Sequence, residues 1–142
     1  MLCMQLPPRG TDAWGDGAYH SSRSRNGKEY LHDGFDRWVL PGGYINSPCV
    51  GEVTHLGWVY SDDPFWRYVE VTDLAGLRHQ VHYLDPLCVK GDTVTILTAI
   101  GIAQDISTHY HHPRLSPMKP HLHYKIIGLD GKNLNPEHHH HV

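Results

Sequence analysis

Residues 66–72 read Trp-Arg-Tyr-Val-Glu-Val-Thr, and this alternation of aromatic and β-branched residues with charged ones is the period-two pattern of a strand. Asp73-Leu74-Ala75-Gly76 is a turn signal, so residues 78–84 are expected to return as the second arm of a hairpin. The same grammar repeats on both sides. Strands are expected at 37–40 and 50–57, separated by the turn Pro41-Gly42-Gly43, and Asp62-Asp63-Pro64 turns the chain again. Residues 89–94 hold a Gly-Asp turn between β-type residues. The apolar run 96–102 reads as a buried strand, although periodicity alone leaves a short helix open. A last strand is expected at 120–127, ending in the Asp130-Gly131 turn. Residues 1–31 read as a long irregular N-terminal loop, folded back through Trp14 and Tyr19, and 105–119 as a second loop. No segment sustains a 3.6-residue period. The expected fold class is all-β and mostly antiparallel.

At 142 residues the chain is expected to be a single domain, 1–142, with its core at about 15–136 and a His-rich tail at 137–142. Gly 14 and Pro 10 beside 39% hydrophobic residues suit short strands and turns better than a helical bundle. The net charge of −3 and the lack of a Lys/Arg run argue against nucleic acid as a partner. No apolar run approaches the ~20 residues of a spanning helix, so membrane insertion is not expected. Pro7-Pro8-Arg9 interrupts the start before any apolar region develops, so no signal peptide is expected. Cys3, Cys49 and Cys88 form no CxxC pair, and buried free thiols are expected rather than a disulfide framework.

Fourteen histidines are the compositional outlier. The run His138-His139-His140-His141 is set aside as a tail. His121-Leu122-His123 is more informative, because in a strand both imidazoles stand on one face. His32 and Asp36 lie far upstream. A catalytic zinc site takes three His or carboxylate ligands and keeps a fourth position open for water. Zinc held by His32, Asp36 and His123, with His121 beside the bound water, is the expected arrangement.

The ordered set His32…Asp36, Ser47-Pro48-Cys49-Val50-Gly51-Glu52-Val53, Gly91-Asp92-Thr93-Val94, Ile100-Gly101 and His121-Leu122-His123-Tyr124 resembles the lysostaphin/LytM family of zinc endopeptidases. The resemblance implies a twisted antiparallel sheet with a groove carrying the zinc site. It implies zinc as cofactor on His32, Asp36 and His123, with His121 as a catalytic histidine. It also implies hydrolysis of peptide bonds in bacterial peptidoglycan. A second catalytic histidine belongs just before the Gly-Asp turn. Counting back from Gly91-Asp92 selects His82. Aligning on Tyr83 selects Asp85 and turns His82 to the other face, since a one-residue slip flips a strand. The second alignment, with Gly15 to Arg23, is similar to the leukocyte chemotaxin branch, which keeps zinc and is not known as a peptidase. Both alignments stay open. A zinc-binding module of the same fold that recognises wall or a protein partner without cutting is therefore the alternative function.

A compact wall hydrolase without leader or anchor fits a phage tail-tip or lysis component, with virion tail proteins as partners. The expected location is a virion or an extracellular or periplasmic target site. Of the remaining residues, His79 is expected to be exposed, and His109, His111 and His112 to decorate a loop beside the groove. Arg23 either reaches the groove or forms a surface ion pair. Trp14, Trp38, Trp58 and Trp66 are expected in the core or groove wall.

Overall fold

A computed structural model describes residues 6–12, 15–25, 28–109 and 118–136. The hairpin expected around residue 66 is the spine of the molecule. β7 (Gly51–Tyr60), β8 (Asp63–Asp73) and β9 (Arg78–His82) are antiparallel neighbours, and the chain crosses back to lay β13 (His121–Ile127) beside β9. β11 (Thr93–Val94) borders β7 at one end. At the other end, β5 (Phe35–Trp38) and β14 (Asn133–Leu134) share the outer edge of β13. The result is a strongly curled antiparallel sheet.

A second sheet is ordered β10 (Leu84–Pro86), β12 (Ala99–Ala103), β6 (Tyr44–Asn46). Residues 99–103 resolve the ambiguous apolar run as strand: Gly101 packs under the Leu84 side chain so closely that a Cβ there would collide with it. No α-helix occurs among the described residues. No helix among them is long and apolar enough to cross a membrane.

The main sheet has one apolar face, and burying it drives the fold. Leu122, Tyr124 and Ile126 of β13, Val81 of β9 and Val69 and Val71 of β8 are all fully buried in one cluster with Val53, Ile45, Leu84 and Ile100. Cutting a buried Leu to Ala in such a cluster costs about 2–5 kcal/mol. Cys49 and Cys88 are buried free thiols, as expected.

Three expectations are corrected. The N-terminal stretch, read as a loop, carries two small hairpins. These are β1 (Thr11–Asp12) with β2 (Gly15–Asp16), and β3 (Ser22–Arg25) with β4 (Lys28–Leu31). Their strands, two to four residues each, are too short to show a period. His79 is completely buried rather than exposed, with Nδ1 2.6 Å from the Tyr124 hydroxyl and Nε2 2.9 Å from Asp73 Oδ2. It stands two residues from Val81, hence on the core face, and its two polar partners satisfy both ring nitrogens there. Trp66 is core, but Trp38 and Trp58 are 47% and 60% exposed. Cys3, Trp14, His111, His112 and the tail histidines lie outside the described residues, as does the side chain of Arg23.

Candidate metal centre

The opposite face of the sheet carries the polar chemistry, and register arranges it in rows. Asp36 pairs with His123, His123 with His82, and His82 with Tyr68, so a single line crosses four strands, β5, β13, β9 and β8. Directly opposed residues project to the same face. One step along, Trp38 opposes His121; in the other direction, Glu70 opposes Gln80 and Gln80 opposes Lys125. His32 enters from the turn before β5, where Gly34 allows a close crossing. A Cβ on Gly34 would strike the Tyr124 carbonyl and come within 2.8 Å of His123 Cε1.

His32, Asp36 and His123 each offer a ligand atom, and these atoms lie within 4.8 Å of one another. His32 Nε2 is 3.0 Å from His123 Nδ1 and 3.2 Å from Asp36 Oδ1, and His123 Nδ1 is 2.9 Å from Asp36 Oδ1. The remaining ring nitrogens are tied elsewhere. His32 Nδ1 donates to the Ala18 carbonyl at 3.0 Å, and His123 Nε2 donates to Asp33 Oδ1 at 2.8 Å. A histidine whose second nitrogen is held by an acceptor presents the first as a lone pair, which is how proteins orient metal-binding imidazoles. His32 Nε2 and a carboxylate oxygen of Asp36 thus converge on one point that His123 Nδ1 also faces. A cation relieves that convergence, and two imidazoles with a carboxylate suit zinc. The donor set fits.

Without a metal, a proton takes part of that role. Burial pushes the His123 pKa down, but the hydrogen bonds to Asp33 and Asp36 and their charges outweigh it and hold it up at about 9. Asp36 is opposed by burial in the same way, yet its bonds to His123 and His32 keep its carboxyl well below the usual range. Asp33 is likewise held low despite burial, by His123 and then Lys125. The imidazolium of His123 is therefore clamped between two carboxylates.

His121 and His82 flank this cluster. His121 donates from Nδ1 to the Lys119 carbonyl at 2.8 Å, which leaves Nε2 as the lone-pair nitrogen, 3.6 Å from Asp36 Oδ2. The His82 ring centroid is 5.1 Å from that of His123. Burial lowers the pKa of both, more strongly for His82, where the neighbouring His123 charge adds to it. Two neutral imidazoles beside a cation site are able to accept protons.

Tyr83 separates His82 from Asp85. Its φ of 74° is left-handed, and there the chain leaves the main sheet for the second one. Asp85 consequently opposes Ile102, in the other sheet, while His82 stays in line with His123. Such strain in a residue other than Gly costs about 1–3 kcal/mol and is commonest near functional sites. The Tyr83 ring packs edge-on to His121, with centroids 5.6 Å apart.

Several residues of the centre were not singled out from sequence. Asp33 holds His123, and Lys125 Nζ donates to Asp33 Oδ2 at 3.3 Å. Arg9, brought in where Pro8 bridges to Arg37, puts Nε 3.5 Å from Asp36 Oδ2. Away from the cluster, His109, one of the histidines expected on a loop, stacks on Tyr60 with centroids 4.5 Å apart and packs against Trp66.

The tight crossing at Gly34 yields a test of the geometry. Gly34→Ala is expected to lower stability by about 1–3 kcal/mol, as overpacking does, and to weaken zinc binding by displacing His123. Thermal denaturation and a zinc titration read both. A variant with wild-type melting temperature and affinity would contradict the close approach.

These features define a lysostaphin/LytM-type fold, and solved structures bear that out. No family model and no curated protein sequence matches the chain. LytU superposes with a TM-score of 0.63 at 19% identity, covering 91% of this chain and 81% of that one. The antimicrobial peptidase lysostaphin from Staphylococcus simulans gives 0.54 at 20% identity, over 74% of this chain and 42% of its own length. A mutant catalytic domain of the prophage-encoded protein EnpA from Enterococcus faecalis gives 0.56 at 20% identity, over 80% and 83%.

Proposed function

We propose that the protein is a zinc metallo-endopeptidase that cleaves peptide bonds of bacterial peptidoglycan. The observation that carries this reading is the convergence of His32, Asp36 and His123 on one point, with neutral His121 and His82 on the same sheet face. Likeness to the peptidase lysostaphin supports the substrate class. Bound zinc would lower the pKa of a water and polarise the scissile carbonyl. The chain's own groups do the rest. In this reading His121 Nε2 and His82 take the proton of an attacking water and pass it to the leaving amine. Asp33 and the Ala18 carbonyl keep His123 and His32 in the tautomers that present Nδ1 and Nε2. The wall lies outside the cytoplasmic membrane, so the protein acts from a virion or at an extracellular or periplasmic site.

Zinc-loaded protein incubated with purified sacculi is expected to release soluble peptides carrying new amino termini. Chelator should stop the release and added zinc restore it. Stoichiometric zinc with no cleavage across several wall chemotypes would leave the non-cutting binding module as the correct reading.

The raised pKa of His123 gives a second signature. Zinc must displace the proton that His123 holds below pH 9. Affinity is therefore expected to climb with pH toward that value, by about tenfold per unit for each proton displaced. The metal-free protein shows the opposite trend from this group. Its folded pKa exceeds the ordinary 6.5, so its stabilising contribution is complete below pH 6.5 and is lost as pH rises through about 9. Calorimetric titration at pH 7.5 in buffers of different ionisation enthalpy should report about one proton released per zinc from this residue. Buffer-independent heats would rule it out.

A further inference from the structure

We infer that Glu70 and Gln80 are positioning residues that set the tautomer of His82, through the relay Glu70–Gln80–His82 across β8 and β9. The inference rests on the functional reading above only for its consequence in catalysis; the tautomer itself does not.

The side chains lie on the face that carries the metal cluster. Glu70 and Gln80 are directly opposed, Gln80 and His82 are two residues apart on one strand, and all three are buried. Gln80 Nε2 is 2.8 Å from Glu70 Oε2, and Gln80 Oε1 is 3.2 Å from His82 Nε2. The direction of this chain of bonds follows from what each group can do. A carboxylate accepts only, so Glu70 requires the amide NH2 of Gln80. The amide oxygen must then face His82, and an oxygen requires a donor. His82 Nε2 therefore carries the proton, and Nδ1 is the nitrogen left with a lone pair.

Glu70 is itself braced. Its Oε1 accepts from Thr54 Oγ1 at 2.8 Å, and Arg78 NH1 stands 3.7 Å from Oε2. On its other side the His82 ring stacks on Tyr68, with centroids 4.9 Å apart and an interplanar angle of 24°. Tyr68 lies across Gly57, where a Cβ would collide with its ring. Relay and stacking together hold one ring orientation and one proton position.

The same device recurs around the centre. His32 and His121 are fixed by backbone carbonyls and His123 by Asp33. His82 alone among the four is fixed by a side-chain amide, and an amide has two faces. Only Glu70 determines which face it shows. For a base that must accept a proton at Nδ1, Glu70 thus matters without touching substrate.

The test is the two-bond nitrogen–proton correlation spectrum of the full chain, labelled with nitrogen-15 histidine, with and without zinc at pH 8. His82 is assigned by its loss in His82→Ala. The wild type is expected to show Nε2–H and an unprotonated Nδ1. Gln80→Met, which removes the acceptor, should shift the tautomer ratio toward Nδ1–H by about fivefold, as loss of one net hydrogen bond would. Glu70→Gln, nearly isosteric, should shift it the same way by freeing the amide to flip. The reversed pair, Glu70→Gln with Gln80→Glu, should restore Nε2 protonation. A wild type carrying Nδ1–H, or a Glu70→Gln ratio equal to wild type, overturns the relay. Should Gln80→Met fail to fold, the wild-type and Glu70→Gln spectra still decide. On sacculi, Glu70→Gln is expected to lower kcat with KM unchanged. The expected tautomers in a wild type that cleaves nothing would sustain the relay while removing the peptidase reading.

Discussion

Asp36→Ala is expected to reduce bound zinc from one per chain to none detectable after dialysis, and to abolish cleavage with it. Asp36 supplies one of three ligand atoms, and it is also the anion that four cationic or protonatable groups share. His123 Nδ1, His32 Nε2, Arg9 Nε and His121 Nε2 lie at 2.9, 3.2, 3.5 and 3.6 Å from its two oxygens. Its removal leaves buried positive charge uncompensated, which typically costs about 3–5 kcal/mol. Zinc at a thousandfold its dissociation constant would add about 4 kcal/mol to the wild type and nothing to the variant. Asp36→Asn keeps the volume, loses the charge and should also lose the metal, so it separates these losses from that of packing. Elemental analysis and melting curves with and without zinc provide the comparison. Wild-type zinc content in Asp36→Ala would mean that the three side chains do not share an ion.

The sequence disclosed the fold to the extent that strands showed their alternation. β8 and β9 were legible because Trp66–Thr72 alternates cleanly and Asp73–Gly76 turns. The rows on the polar face were legible in part, since His121 and His123 had to share a face and the ordered motifs placed His32 and Asp36 beside them. The departure of Asp85 into the other sheet was not. It depends on Tyr83 adopting a left-handed φ, which its side chain disfavours and only the surrounding fold imposes. His79 is buried although its signal is in the sequence: it is two residues from Val81, and a histidine on an apolar face needs partners, of which Asp73 lies across the adjoining turn and Tyr124 comes from a distant strand. Asp33, Arg9 and the Glu70–Gln80 pair were invisible for a related reason. Their roles are set by which hydrogen bond each makes across the sheet, and a single chain read in order carries no register between strands. The short N-terminal hairpins escaped because a strand of two to four residues cannot express a period.

His121→Ala is expected to behave in the opposite way from Asp36→Ala, retaining zinc and losing turnover. The ligand group of His32, Asp36 and His123 is complete without it, and its Nε2 approaches Asp36 Oδ2 at 3.6 Å from beside the cluster. Its Nδ1 is committed to the Lys119 carbonyl, so the free lone pair is on the nitrogen facing the site. Burial lowers its pKa, with the Arg9 and His123 charges adding to that, while Asp36 and the Lys119 carbonyl pull it up. The ring is therefore held in its neutral form around neutral pH and is available as a base. Removing a positioned general base costs about 10²–10⁴ in rate, so kcat on sacculi should fall by that factor while zinc stoichiometry remains one per chain. Because the ring also packs against Tyr83, some loss of melting temperature is expected, and zinc content measured on the folded variant separates this from catalysis. Zinc lost as completely as in Asp36→Ala would make His121 a ligand. Undiminished kcat would transfer the base to His82, whose Nδ1 then becomes the lone pair on which turnover depends.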